Sequence, residues 1–189
     1  MPPKLFLTVK NMDQDVAQLA AILKTSLKEF LQGKNSPKEL FGVTSNEINI
    51  LAAKACEMAE QGKTADAQSL LEGLVVLDPE NVYLHNCLGT LYMRLELTKL
   101  AIGEFLFVLR HTPHDTTANT NLGELYFEQG DIESAVKYLG KAVEFDPEEK
   151  DLFANRARAI LLLLADISKE VQERGSEALE EIKERIAKM

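Results

Sequence analysis

An all-α fold of stacked helical hairpins is predicted by three observations. Pro79, Pro113 and Pro147 recur at an unbroken spacing of 34 residues. In the same frame, small residues align as Ala55, Gly89 and Gly123 and as Ala67, Ala101 and Ala135. Larger apolar residues align as Met58, Tyr92 and Tyr126, as Leu71, Phe105 and Leu139, and as Leu74, Val108 and Ala142. Small residues let two antiparallel helices approach closely, and the larger columns fill the space beside them. Each frame then has a second helix that stops before Asp78-Pro79, Thr112-Pro113 or Asp146-Pro147, because proline pushes its predecessor out of helical geometry.

The turns fit the same frame. Gly62 and Gly130 stand where a first helix must end in a left-handed residue, and Glu96 in the middle frame should cost a little stability there. Thr44 with Glu47 spells a capping box, and Thr64, Thr98 and Asp131 are expected to cap the second helices. The frames run 48–81, 82–115 and 116–149. A unit of this length with small, small, aromatic and closing-proline positions resembles the tetratricopeptide repeat, a helix-turn-helix module. The resemblance implies a right-handed superhelical array of three repeats (48–149), preceded by an N-terminal arm and linking helix (1–47) and followed by a C-terminal capping helix (150–189).

Composition narrows the function. The chain has 189 residues, 46% of them hydrophobic, enough for one domain with a substantial core. Its formal net charge of −9 argues against nucleic acid and anionic membranes as partners, whose recognition starts from an excess of Lys and Arg. Cys56 and Cys87 lack metal-ligand spacing and imply a reducing compartment without structural zinc.

Ahead of the repeats, the apolar run Leu5, Phe6, Leu7 and Val9 is too short for a signal-peptide core or a membrane span, so a cytoplasmic location is expected. Val16, Leu19, Leu23, Leu27, Phe30 and Leu31 then recur at helical spacing. This stripe either docks on the chain's own first repeat or pairs with a second copy; in the latter case Leu19, Leu23, Leu27 and Phe30 are the dimer contacts. Ser36, Pro37 and Glu39 start a short linking helix. Beyond Pro147, Phe153, Ala157 and Ile160 match first-helix columns, but no second-helix columns follow. Glu181 with Arg185 and Glu184 with Lys188 give the last segment the polar outer face that a solenoid end requires.

Catalytic signatures are missing from the sequence. It contains no glycine-rich phosphate loop, GxSxG or HExxH. Three histidines without a carboxylate or cysteine cluster make a poor ligand set, His111 with His114 being the pair to consider for nickel or zinc. Cys56 sits mid-helix, without a histidine or helix N-terminus in sequence reach to activate it. Neither enzyme chemistry nor a cofactor is expected.

What remains is a surface. First helices of stacked repeats line a concave wall that binds extended or helical peptides. The inward positions are Asn49, Ala52, Cys56 and Ala59, then Tyr83, Asn86, Thr90 and Met93, then Thr117, Thr120, Glu124 and Phe127. Asn and Thr offer hydrogen bonds to a peptide backbone, while Tyr83, Met93 and Phe127 offer apolar sockets. None of these positions is basic, so the carboxylate clamp by which some tetratricopeptide proteins hold the C-terminal acid of heat-shock chaperones has no counterpart among them.

Read together, the amphipathic arm, Phe30-Leu31-Gln32-Gly33, Gly42-Val43-Thr44, Ile50-Leu51, Gly62-Lys63, Asp66-Ala67 and Val76-Leu77-Asp78, followed by three repeats and one capping helix, resemble the class II chaperones of bacterial type III secretion. The resemblance implies a small acidic cytoplasmic protein whose groove keeps a hydrophobic translocator segment soluble before export, and whose arm takes part in homodimerisation. Where that family lines the first part of its groove with aromatics, this chain has Ala52, Cys56, Ala59 and Thr64, which makes the sockets wider and shallower. The alternative is a general adaptor that scaffolds a folded complex with the same groove.

Overall fold

The computed structural model describes residues 21 and 24–175, and every regular element among them is helical. In chain order these are α1 (24–31), α2 (Pro37–Leu40), α3 (Ser45–Glu60), α4 (Thr64–Leu77), α5 (Val82–Arg94), α6 (Thr98–His111), α7 (Thr116–Glu128), α8 (Ile132–Glu144) and α9 (Leu152–Arg174). They fall into two units, divided between Leu91 and Tyr92 within α5. Leu19, Leu23 and the charge pairs Glu181/Arg185 and Glu184/Lys188 lie outside the described residues.

In the first unit α3 packs on α4. Ile48, Ala52 and Ala55 are buried on one helix, and Ala67, Leu71 and Leu74 on the other. The capping box that opens α3 is reciprocal: Glu47 N donates to Thr44 Oγ1 at 3.2 Å, and Thr44 N donates to Glu47 Oε2 at 2.9 Å. Ser36 N likewise donates to Glu39 Oε2, at 2.7 Å, with Pro37 in the first turn of α2.

Asp78, extended ahead of Pro79 with φ −134°, ties this unit together. Its carboxylate accepts from Lys38 Nζ at 2.8 Å, Ser45 Oγ at 3.1 Å and Asn81 Nδ2 at 3.1 Å. Burial opposes its ionisation, but the hydrogen bonds from Lys38, Asn81 and Ser45 outweigh burial and hold the carboxyl below the ordinary aspartate value. Asn81 then starts α5, its Oδ1 accepting from Tyr83 N at 3.1 Å.

In the second unit α6 packs on α7, α7 on α8, and α9 on both α7 and α8. The buried residues of α6, α8 and α9 include Ala101, Phe105, Val108, Ala135, Leu139, Ala142, Ala154 and Ala157. Asp115, Asp131 and Asp151 begin α7, α8 and α9 by accepting from the backbone N–H three residues on, at 2.7, 3.1 and 2.9 Å. Asp146 repeats the role of Asp78: its Oδ2 accepts from Arg158 Nη1 at 3.0 Å and from Asp151 N at 3.1 Å. This anchors the first turns of α9 to the turn before it.

All three turns inside the hairpins share one geometry. Gly62, Glu96 and Gly130 have φ of +83°, +58° and +78°. The next residue's N–H closes back on the first helix: Lys63 N to Met58 O, Leu97 N to Tyr92 O and Asp131 N to Tyr126 O, each at 2.9 Å. The capping expectation needs correction at two places. Thr64 and Thr98 are the first helical residues, with Lys63 and Leu97 in the cap positions and no side-chain cap bond. The tight closure after the left-handed residue starts the second helix one position earlier than the threonine pattern suggests.

Candidate functional site

The expected inward residues divide between the units. In the first, Ala52 is fully buried in the α3–α4 core, so its side chain offers no surface to a ligand. Asn49 Oδ1 accepts from Asn81 Nδ2 at 2.9 Å, linking the start of α3 to the start of α5. Cys56 and Ala59 are half-buried, Thr90 is exposed, and its Oγ1 donates to Asn86 O at 2.9 Å.

Tyr83 is 42% exposed and gathers the two cysteines around it. Its hydroxyl is pushed up to about 12, first by burial and then by the neighbouring Cys87 and Cys56 thiols. Cys87 is itself pushed up, first by its hydrogen bond with Cys56 and then by burial. The first unit therefore presents an aromatic ring next to a pair of thiols, flanked by amide side chains.

In the second unit Met93 and Thr117 are half-buried. Thr120 is fully buried, and its Oγ1 donates to Phe153 O at 3.1 Å, a bond from α7 to α9. Phe127 is partly buried and packs against the core cluster formed by Ala135, Leu139, Ala142 and Ala157. Glu124 lies 2.5 Å from Arg156 Nε. Burial pushes its carboxyl up against the pull of Arg156, and Glu128 adds to the rise.

Arg156, Asn121 and Phe153 join this face although they are not among the twelve expected positions. Arg156 Nη2 donates to Asn121 Oδ1, and its guanidinium carbon lies 5.2 Å from the Phe153 ring centroid. The 34-residue frame places Arg156 in register with Leu88 and Leu122, both buried. A basic residue entering a buried apolar column marks where the covered part of the array stops, and that signal was present in the sequence.

The histidines are engaged separately. His85 Nε2 lies 2.9 Å from Pro79 O, His111 Nδ1 lies 3.0 Å from Phe107 O, and His114 meets Phe145 edge-on at 4.3 Å. Among the described residues no group of three or more His, Cys, Asp or Glu converges as a metal site. No described helix is long and apolar enough to cross a membrane.

Residues 116–149 match the tetratricopeptide repeat family. The fold is that of a tetratricopeptide-repeat protein. No curated protein matches the chain by sequence. Among solved tetratricopeptide structures, it is similar to the type III secretion translocator chaperone SycD of Yersinia enterocolitica, with 22% identity, 68% of this chain and 98% of that one covered, and a TM-score of 0.62. It is also similar to PcrH of Pseudomonas aeruginosa in complex with the chaperone-binding region of PopB, with 21% identity, coverage of 62% and 97%, and a TM-score of 0.57. A third similar structure is the first tetratricopeptide module of Spaghetti bound to an HSP90 peptide, at 25% identity, coverage of 65% and 97%, and a TM-score of 0.56. The likeness is one of fold, and it is shared by secretion chaperones and by a module solved with an HSP90 peptide.

Proposed function

We propose that this chain is a non-enzymatic, cytoplasmic chaperone that holds an extended hydrophobic segment of a translocator-like client before export. The observation that carries the reading is the likeness to SycD and PcrH over nearly their whole lengths, PcrH having been solved with a translocator segment bound. On this chain the client contacts are the first-helix residues Asn49, Cys56, Ala59, Tyr83, Asn86 and Thr90 in the first unit and Met93, Thr117, Glu124 and Phe127 in the second. Ala52 and Thr120 contribute from beneath. Binding covers apolar client surface and stabilises the bound state by mass action, without a nucleotide. The arm mediates homodimerisation through Leu27 and Phe30, with Leu19 and Leu23; Leu27 is 48% exposed, as a partner-seeking residue would be.

The adaptor reading draws on the likeness to the Spaghetti module. Co-expression separates the two. A hydrophobic exported translocator from the same host should be soluble only alongside this chain, and Tyr83→Ala should weaken the complex by about 1 to 3 kcal/mol with helix content unchanged. A client that precipitates equally with and without the chain, together with a stable complex between the chain and a folded cytoplasmic protein, would establish the adaptor instead.

A further inference from the structure

In the second unit α7 packs on both α6 and α8, and a cleft of about 160 Å³ opens beside its first turn. Leu106, Leu109, Pro113 and Tyr138 give the cleft apolar walls, while Arg110 on α6 and Lys141 on α8 line it as exposed cations. Asn119 of α7 completes the lining. None of these residues is among the twelve expected wall positions. In the 34-residue frame Asn119 takes the place of Leu51, His85 and Phe153, all larger, so the shorter side chain leaves space beside it. Asn119 is fully buried; its Nδ2 donates to Pro113 O at 3.1 Å and Asp115 O at 2.9 Å, whereas its Oδ1 has no hydrogen-bond partner. A buried acceptor left unpaired costs free energy that a donor from a ligand relieves. The two cations lack carboxylates as well. On a chain of net charge −9, Arg110 rests over the Phe107 ring at 5.5 Å and Lys141 over the Tyr138 ring at 5.8 Å, and neither forms an ion pair with a described residue.

We propose that this cleft binds a linear peptide segment in which an aliphatic side chain stands next to a carboxylate. A space of this size holds one benzene-sized group, so a single side chain enters between Leu106, Leu109, Pro113 and Tyr138. The neighbouring carboxylate meets Arg110 and Lys141, one cation from each flanking helix, in charge-assisted bonds. A backbone N–H of the segment supplies the donor that Asn119 Oδ1 lacks. A bare anion would satisfy the cations and leave the apolar walls and the buried acceptor unmet, and a purely apolar ligand would leave the cations and the acceptor unmet. The site draws on α6, α8 and the start of α7, and it stands independently of the client reading.

Titration of the intact, isotope-labelled protein with the peptide acetyl-Gly-Leu-Glu-Gly-amide, followed by NMR, tests it. The expected shifts fall on Arg110, Lys141 and the Asn119 side-chain amide. Replacing the peptide's Glu by Gln, or its Leu by Ala, should weaken binding by at least about tenfold. Arg110→Glu combined with Lys141→Glu should weaken it at least as much, and both positions are exposed, so the core is left intact. Equal affinity for the Glu and Gln peptides, the same shifts from inorganic phosphate alone at equal affinity, or a double variant that dissociates a dimer while binding peptide as before would each overturn the assignment.

Discussion

Gly123 on α7 lies so close to Leu139 on α8 that a β-carbon on the glycine would sit 2.6 Å from Leu139 Cγ and 3.1 Å from its backbone nitrogen. Part of that obstacle is backbone, which cannot rotate away. Gly123→Ala should therefore destabilise the protein by about 1 to 3 kcal/mol as overpacking, read as a lower urea midpoint with unchanged slope. Gly103, mid-helix in α6 with nothing within 4 Å of an added β-carbon, is the contrast. Gly103→Ala should stabilise by about 0.5 to 1 kcal/mol, and a loss there would show that α6 packs more tightly than described.

Glu96 carries a backbone φ of +58° in the turn where its two counterparts are glycine. A side chain in that conformation costs about 1 to 2 kcal/mol. Glu96→Gly should recover part of this as a higher thermal midpoint. No gain would mean that the glycine's extra freedom in the unfolded chain cancels the relief of strain.

Asp78 ionises more readily in the folded chain than in the unfolded one, so its contribution to stability is full at neutral pH. It is lost as pH falls through the lowered pKa. Asp78→Asn should cost about 2 kcal/mol at neutral pH, through bonds made to a charged acceptor. It should also flatten the acid limb of the stability curve below about pH 4. A parallel displacement of the whole curve would show that the loss is steric.

Glu124 has the opposite sign. Its pKa is raised by burial, so the folded state holds the proton longer, and stability declines as pH climbs through the raised value. Glu124→Gln removes that slope. The variant should gain on the parent between about pH 4 and neutrality, whatever their offset at low pH. A pH-independent difference would sink the account.

The fold was legible in the sequence because its determinants repeat. Ala67, Ala101 and Ala135 are all fully buried, as are Phe105 and Leu139, with Leu71 at 1% exposure. Three independent instances of one packing constraint separate a column from coincidence. The candidate wall was less legible because its chemistry comes from pairs that do not recur. Cys87 matters through Cys56, and Arg156 through Glu124 and Asn121. Phe127 stands at an expected wall position by register, yet it is also packed against the buried cluster of Ala135, Leu139, Ala142 and Ala157. Register places a residue on a face, whereas the helix that happens to lie opposite decides whether its side chain meets solvent.

Because Cys56 and Cys87 are both free and half-buried in the first unit, the unaltered protein carries its own reporter of local breathing. Under native conditions a slow alkylating reagent would sample openings around these thiols, and its rate, compared with amide exchange in α7 and α8, would reveal whether the first unit opens more readily than the second. Such a difference can be followed here without introducing a single label.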